Sequence, residues 1–128
     1  CWGSGNPLRE FLHVNDLASA CIFALNKWHP SKSDSPKDSM GNCLHWLNVG
    51  SYSEISIKEL ASKIAKMLHY QGEIIWDESK PDGTFRKKLD IREIKKLGWE
   101  PKIDLDEGLR QTISSFKNEI ISNNLRNL

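Results

Sequence analysis

Arg9-Glu10-Phe11-Leu12-His13-Val14-Asn15-Asp16, running straight on into Leu17-Ala18-Ser19-Ala20-Cys21-Ile22-Phe23-Ala24-Leu25, decides how this chain is read. An apolar, strand-like run with flanking charges turns directly into a helix. Val14, Leu17, Ala18, Cys21, Ile22 and Leu25 recur at three- and four-residue spacing, which places them on one helical face. Asn15 or Asp16 supplies the predicted cap. The helix is predicted to end near Trp28, because Pro30 and the polar run from Ser31 to Ser39 follow. Ser31 to Asn42 is read as a surface-loop insertion.

Further along, Leu44 to Val49 is short, apolar and aromatic and ends in Gly50, which predicts a buried strand; Gly72 to Trp76 predicts a second. Between them, Ser56 with Glu59 makes a capping box for a helix carrying Ile57, Leu60, Ala61, Ile64 and Leu68. Asp90 with Glu93 is read as the cap of a third helix, with Gly98 at its C-terminal end. Asp104 with Glu107 caps a fourth, whose stripe is Leu105, Leu109, Ile113, Phe116 and Ile120. Residues 122–128 are expected to fray. Helices outnumber strands, so the expected fold is a small, mainly helical α/β lobe with few short strands.

Composition narrows the function classes. Lys plus Arg number 18 against 17 Asp plus Glu, a net charge of +1 with the signs interspersed, which gives no case for nucleic acid or an anionic membrane as partner. No apolar run approaches bilayer length, and a soluble protein is expected. The three cysteines, Cys1, Cys21 and Cys43, form no C-x-x-C pair and leave an odd count, which fits a reducing cytoplasm. At 128 residues the chain is long enough for one domain but short for an enzyme that also needs a dinucleotide-binding unit. Its opening Cys1-Trp2-Gly3, without Met or leader, reads as cut from something longer.

Trp2-Gly3-Ser4-Gly5 invites a phosphate-loop reading, but a dinucleotide fingerprint needs a third glycine where Leu8 stands. A turn carrying Trp2 and Arg9 towards a ligand or a neighbour is the reading kept. Arg9 can clamp a phosphate with its planar fork of donors, or pair with Glu10 as an ordinary surface residue. Trp2 offers a flat face for a base or sugar, whereas Trp28, Trp46, Trp76 and Trp99 are expected in the core. In Lys80-Pro81-Asp82-Gly83, Asp82 can accept from a sugar hydroxyl and Lys80 can face a phosphate; a plain solvated turn is the alternative. The four histidines show no ligand spacing, so no metal site is predicted. Neither Tyr52 nor Tyr70 has a Lys four residues on, and no nucleophile with base can be assembled. No catalytic and no cofactor-binding residue is assigned in this chain.

Three segments together resemble the GDP-L-fucose synthase family, a branch of the extended short-chain dehydrogenase/reductases: Trp2 to Asp16, Leu47-Asn48-Val49-Gly50, and Ser79-Lys80-Pro81-Asp82-Gly83-Thr84 with Arg86-Lys87. Leu97-Gly98-Trp99 and the final helix extend the likeness across nearly the whole chain. The resemblance implies the C-terminal, substrate-binding portion of an NADPH-dependent enzyme that turns GDP-4-keto-6-deoxy-D-mannose into GDP-L-fucose by two epimerisations and a reduction. The implied Rossmann domain, with the glycine-rich loop, the catalytic Ser, Tyr and Lys, and the Cys and His of epimerisation, would precede Cys1. What carries over is substrate contact: Trp2 and Arg9 near the GDP moiety, and Asp82 with Lys80 closing over the nucleotide-sugar. A GDP-sugar and the Rossmann domain of the same protein are then the expected partners, and a homodimer stays open. Two rivals remain: another nucleotide-sugar epimerase or dehydratase, and a non-enzymatic module whose helices dock a protein.

Overall fold

The computed structural model describes residues 1–122. The described residues form four helices and a three-stranded sheet of very short strands. The strands are β1 (Leu8–Glu10), β2 (Glu54–Ser56) and β3 (Arg86–Lys87); the helices are α1 (Val14–Lys27), α2 (Ile57–Met67), α3 (Arg92–Lys96) and α4 (Leu105–Ile121). β1 lies in the middle, antiparallel to β2 with Arg9 opposite Ile55, and parallel to β3 with Arg9 opposite Lys87. This is the small, mainly helical α/β fold expected.

Its strands are in other places than predicted. Leu44–Val49 and Gly72–Trp76 form none. Apolar composition makes a segment fit for a sheet, but a ladder also needs a neighbour to exchange hydrogen bonds with. Leu47 and Val49 pack half-buried against the core instead. Asp77, just past the second segment, makes a single parallel bridge to Trp2.

The helices follow their predicted bounds, with two caps reassigned. α1 ends at Trp28 as expected, but its N-cap is His13, whose Nδ1 accepts from Asn15 N at 3.3 Å. Asp16 is buried one turn in and accepts from the amides of Lys102 and Ile103 at 3.0 and 2.9 Å, tying α1 to the segment that leads into α4. Asp90 does not cap α3; Ile91 holds that position without a side-chain bond, and Asp90 pairs with the Arg92 guanidinium. That pairing holds the Asp90 carboxyl at about 2. The capping box of α2 forms as read, and Asp104 Oδ1 caps α4 by accepting from Glu107 N at 2.8 Å.

After α3 the chain reverses through Gly98 at φ +105°. Gly98 N donates to Lys95 O and Trp99 N to Ile94 O, the paired bonds of a Schellman stop, where glycine's freedom at positive φ is needed. The stop delivers Trp99 into the core beside Ala20, Ile91 and Ile94, with Leu12, Phe23, Leu47 and Val49 around them. Of the other three tryptophans expected there, Trp28 and Trp76 are half-buried outside this core and Trp46 is exposed.

The apolar stripe of α1 does not face the core. Asp16, Ala20 and the half-buried Phe23 and Ala24 do, while Val14, Leu17, Ala18, Cys21, Ile22 and Leu25 point to solvent, Leu25 at 86 % exposure. α4 divides along its length: Leu105, Leu109 and Ile113 are half-buried and Phe116 and Ile120 exposed. In the 31–42 stretch Ser35 and Pro36 are buried, because Trp28 Nε1 donates to Ser35 Oγ, which donates in turn to His29 O. Of the residues expected to fray, 123–128 lie outside the described residues, and Ser122 closes α4 as its C-cap.

Candidate substrate-binding site

Three separate segments supply the four residues singled out for ligand contact. The first runs beside residues 75–77: Asp77 N donates to Cys1 O at 2.8 Å and Gly3 N to Asp77 O at 3.0 Å. That pairing sets Trp2 next to the turn that follows. The turn is nucleated by Asp77, whose Oδ1 accepts from the amide and hydroxyl of Ser79, with Lys80 N donating to Asp77 O. Lys80 then swings back, and its Nζ stands 5.8 Å from the Trp2 ring centroid. An ammonium over an aromatic face is attracted by the ring quadrupole.

Arg9 comes from the middle strand. Its Nη1 donates to Leu8 O at 2.7 Å, which folds the guanidinium back along β1, and a Cβ added to Gly83 would lie 3.4 Å from Nη2. The guanidinium therefore sits against the glycine of the Lys80–Gly83 turn. No acid pairs with Arg9 or Lys80 among the described residues. Glu10, the partner weighed for Arg9, accepts instead from the amides of Tyr52 and Leu89.

Trp2, Arg9 and Lys80 are thus brought to one face, and Asp82 lies there too, but engaged. Ser4 N donates to Asp82 Oδ1 at 2.8 Å and Ser4 Oγ to Oδ2 at 2.6 Å. The Ser4 hydroxyl, then the Ser4 amide, pulls the Asp82 carboxyl below its ordinary range. Sequence reading missed Ser4, whose partner lies 78 residues away. It also missed Lys87. Register with Arg9 puts these two side chains on one face of the sheet, whereas Arg86 turns to the Glu54 carboxylate at 2.7 and 2.6 Å. Alternation within Arg86-Lys87-Lys88 was the available signal.

The face is open: Trp2 is 79 % exposed and Lys80 to Lys87 are all exposed. Deeper hollows lie elsewhere, including one of about 240 Å³ between Phe11, Ile55, Ile103 and Leu105. An aromatic plate with one cation over it and a second against the same turn can hold a flat ring joined to an anionic group.

Residues 1–38 match the NAD dependent epimerase/dehydratase family. Over 121 residues, 94 % of this chain, it is 45 % identical to "Probable GDP-L-fucose synthase 1" of Oryza sativa subsp. japonica, and covers 33 % of that protein. It is 42 % identical over 115 residues to the GDP-L-fucose synthase of Escherichia coli strain K12, covering 90 % of this chain and 35 % of that one. The chain is thus similar to GDP-L-fucose synthases along nearly its whole length.

It spans about a third of the length of these GDP-L-fucose synthases. Among solved structures, a GDP-6-OMe-4-keto-L-xylo-heptose reductase from C. jejuni superposes with a TM-score of 0.79 at 30 % identity, over 93 % of this chain and 33 % of that one. A GDP-mannoheptose C4 reductase from Campylobacter jejuni, solved with NADP bound, gives 0.73 at 29 % identity over 91 % and 34 %. A Cβ on Gly3 would overlap the Asp82 carboxylate, and one on Gly5 the Trp76 ring and Lys58, so both glycines make room for the chain itself.

Proposed function

We propose that this chain is the substrate-binding portion of an NADPH-dependent epimerase/reductase that converts GDP-4-keto-6-deoxy-D-mannose to GDP-L-fucose. The observation that carries this is the convergence of Trp2, Lys80 and Arg9, from three segments, on one open face without acidic partners among the described residues. Trp2 offers the flat surface for the nucleoside, and Arg9 and Lys80 meet the diphosphate. The Lys80–Gly83 turn, with Asp82, closes over the sugar end. The names of the relatives supply the sugar.

The reacting groups and NADPH belong in this reading to a Rossmann domain of the same protein. NADPH, bound there, supplies the hydride. This chain binds and orients the nucleotide-sugar and walls off one side of the cleft. The exposed stripe Val14, Leu17, Ala18, Cys21, Ile22 and Leu25 supports a second domain packed against α1, since a contiguous apolar helix face is costly to leave in water. No helix among the described residues is long and apolar enough to cross a membrane. Its free cysteines suit a cytoplasmic enzyme.

The test is a titration of GDP into the full-length protein by calorimetry, with Arg9→Ala beside it, together with turnover of the keto-sugar and NADPH. Binding that weakens in the variant, with turnover in the native protein, supports the reading. An Arg9→Ala variant with native affinity removes Arg9 from the site, and a full-length protein that neither binds GDP nor consumes NADPH sinks the proposal.

A further inference from the structure

Two bonds between Ser4 and Asp82 join the first segment to the Lys80–Gly83 turn and occupy both oxygens of the Asp82 carboxylate. We infer that Asp82 is a positioning residue and not a substrate contact: held by Ser4, it sets Lys80 over Trp2 and Gly83 against Arg9 before a nucleoside diphosphate arrives. This rests on the nucleotide-sugar reading above and reassigns one residue within it.

Both carboxylate oxygens of Asp82 are engaged by one residue, through its amide and its hydroxyl. The hydroxyl is itself oriented, because Ser4 Oγ accepts from Asn6 N at 3.1 Å while it donates to Asp82. The backbone is shaped around this contact: Gly3 takes φ +81°, and any side chain there would displace the carboxylate. Asp82 stands two residues from Lys80 and one from Gly83, across Pro81, whose ring fixes φ. Fixing its carboxylate therefore fixes both.

Charge argues the same way. A carboxylate pointed at a diphosphate is repelled by it, whereas one turned inward onto the chain's own donors keeps its charge solvated by them and away from the ligand. Hydrogen bonding to Ser4 favours the ionised form, so the link is made at neutral pH. Pre-assembly matters because ordering loose side chains on binding weakens affinity.

The experiment is GDP binding to the full-length protein, measured by calorimetry for native, Ser4→Ala, Ser4→Thr, Asp82→Ala and the Ser4→Ala/Asp82→Ala pair. A positioning role requires Asp82→Ala, which removes both bonds, to weaken binding by about 5- to 10-fold, and Ser4→Ala, which keeps the amide bond, by about 2- to 5-fold. Ser4→Thr, which keeps the hydroxyl, should restore native affinity, and the pair should bind no worse than the weaker single variant. Native affinity in Ser4→Ala beside a loss in Asp82→Ala would overturn the inference, because Asp82 would then act on the ligand directly. Hydrogen exchange at the Ser4 amide reads the link without ligand: about tenfold faster exchange is expected in Asp82→Ala, and an unchanged rate also overturns it. A native protein that binds no GDP refutes the substrate reading itself, and that is seen before any variant is made.

Discussion

Replacing Asp16 with Ala removes the acceptor for two amides at once. Asp16 is 4 % exposed, and its Oδ2 accepts from Lys102 N at 3.0 Å and Ile103 N at 2.9 Å, joining the first turn of α1 to the approach of α4. Hydrogen bonds to a carboxylate contribute about 1.5–3 kcal/mol each, so losing both is expected to cost about 3–5 kcal/mol. Asp16→Asn keeps a carbonyl that can serve both amides but brings in donors of its own, and about 1–2 kcal/mol is expected. Urea unfolding followed by circular dichroism measures this. With a slope of about 1–3 kcal/mol/M, Asp16→Ala should lower the midpoint by at least about 1 M, and Asp16→Asn by well under half of that shift. Equal midpoints for native and Asp16→Ala proteins would refute the assignment of these bonds as a structural tie.

Arg9→Ala should weaken GDP binding by about 1.5–3 kcal/mol, the range for a charge-assisted contact, and Lys87→Ala by less than about 1 kcal/mol, both by calorimetry. Gly98→Ala should cost about 1–2 kcal/mol, read as a lower thermal midpoint, because φ +105° is strained for any residue with a Cβ. Asp90 gives a pH signature. Its carboxyl titrates at about 2 in the folded chain against an ordinary 3.8, so the Arg92 pairing contributes fully above pH 3.8 and fades as pH falls towards 2. An NMR titration should place the Asp90 midpoint near 2, and Arg92→Ala should return it towards 3.8. Leu25→Glu, on the exposed stripe of α1, should leave this chain's stability within about 0.5 kcal/mol while lowering the yield of folded full-length protein; an unchanged yield would show the stripe to be uncovered there too.

The helices were legible because their signals are local. A capping box spans four residues, and the Gly98 stop lies within six, so Ser56-Glu59 and Leu97-Gly98-Trp99 could be read directly. What failed depended on distant neighbours. The six apolar residues of α1 satisfied helical spacing, yet the face that packs here is the one bearing Asp16 and Ala20, because the bonds from Lys102 and Ile103 turn the helix that way. β2 and β3, at three and two residues, are shorter than any alternation that could announce them. Among the candidate site residues, Trp2, Arg9 and Lys80 could be singled out by side-chain type. The engagement of Asp82 was not, since nothing within the Lys80–Gly83 turn points to Ser4.

The sheet also fixes when in synthesis the face bearing Trp2, Arg9 and Lys80 can form. β1 pairs first with residues 54–56 and then, in parallel, with 86–87, so its two ladders close loops of very different length. α1 and α2 are complete by residue 67, but the Trp2–Lys80 stack, the Ser4–Asp82 bonds and the Arg9–Lys87 pairing all wait for the chain to emerge past residue 87. Long-range closures of this kind come late and slowly in folding. A ribosome stalled before that point would carry a chain in which none of these three contacts can form.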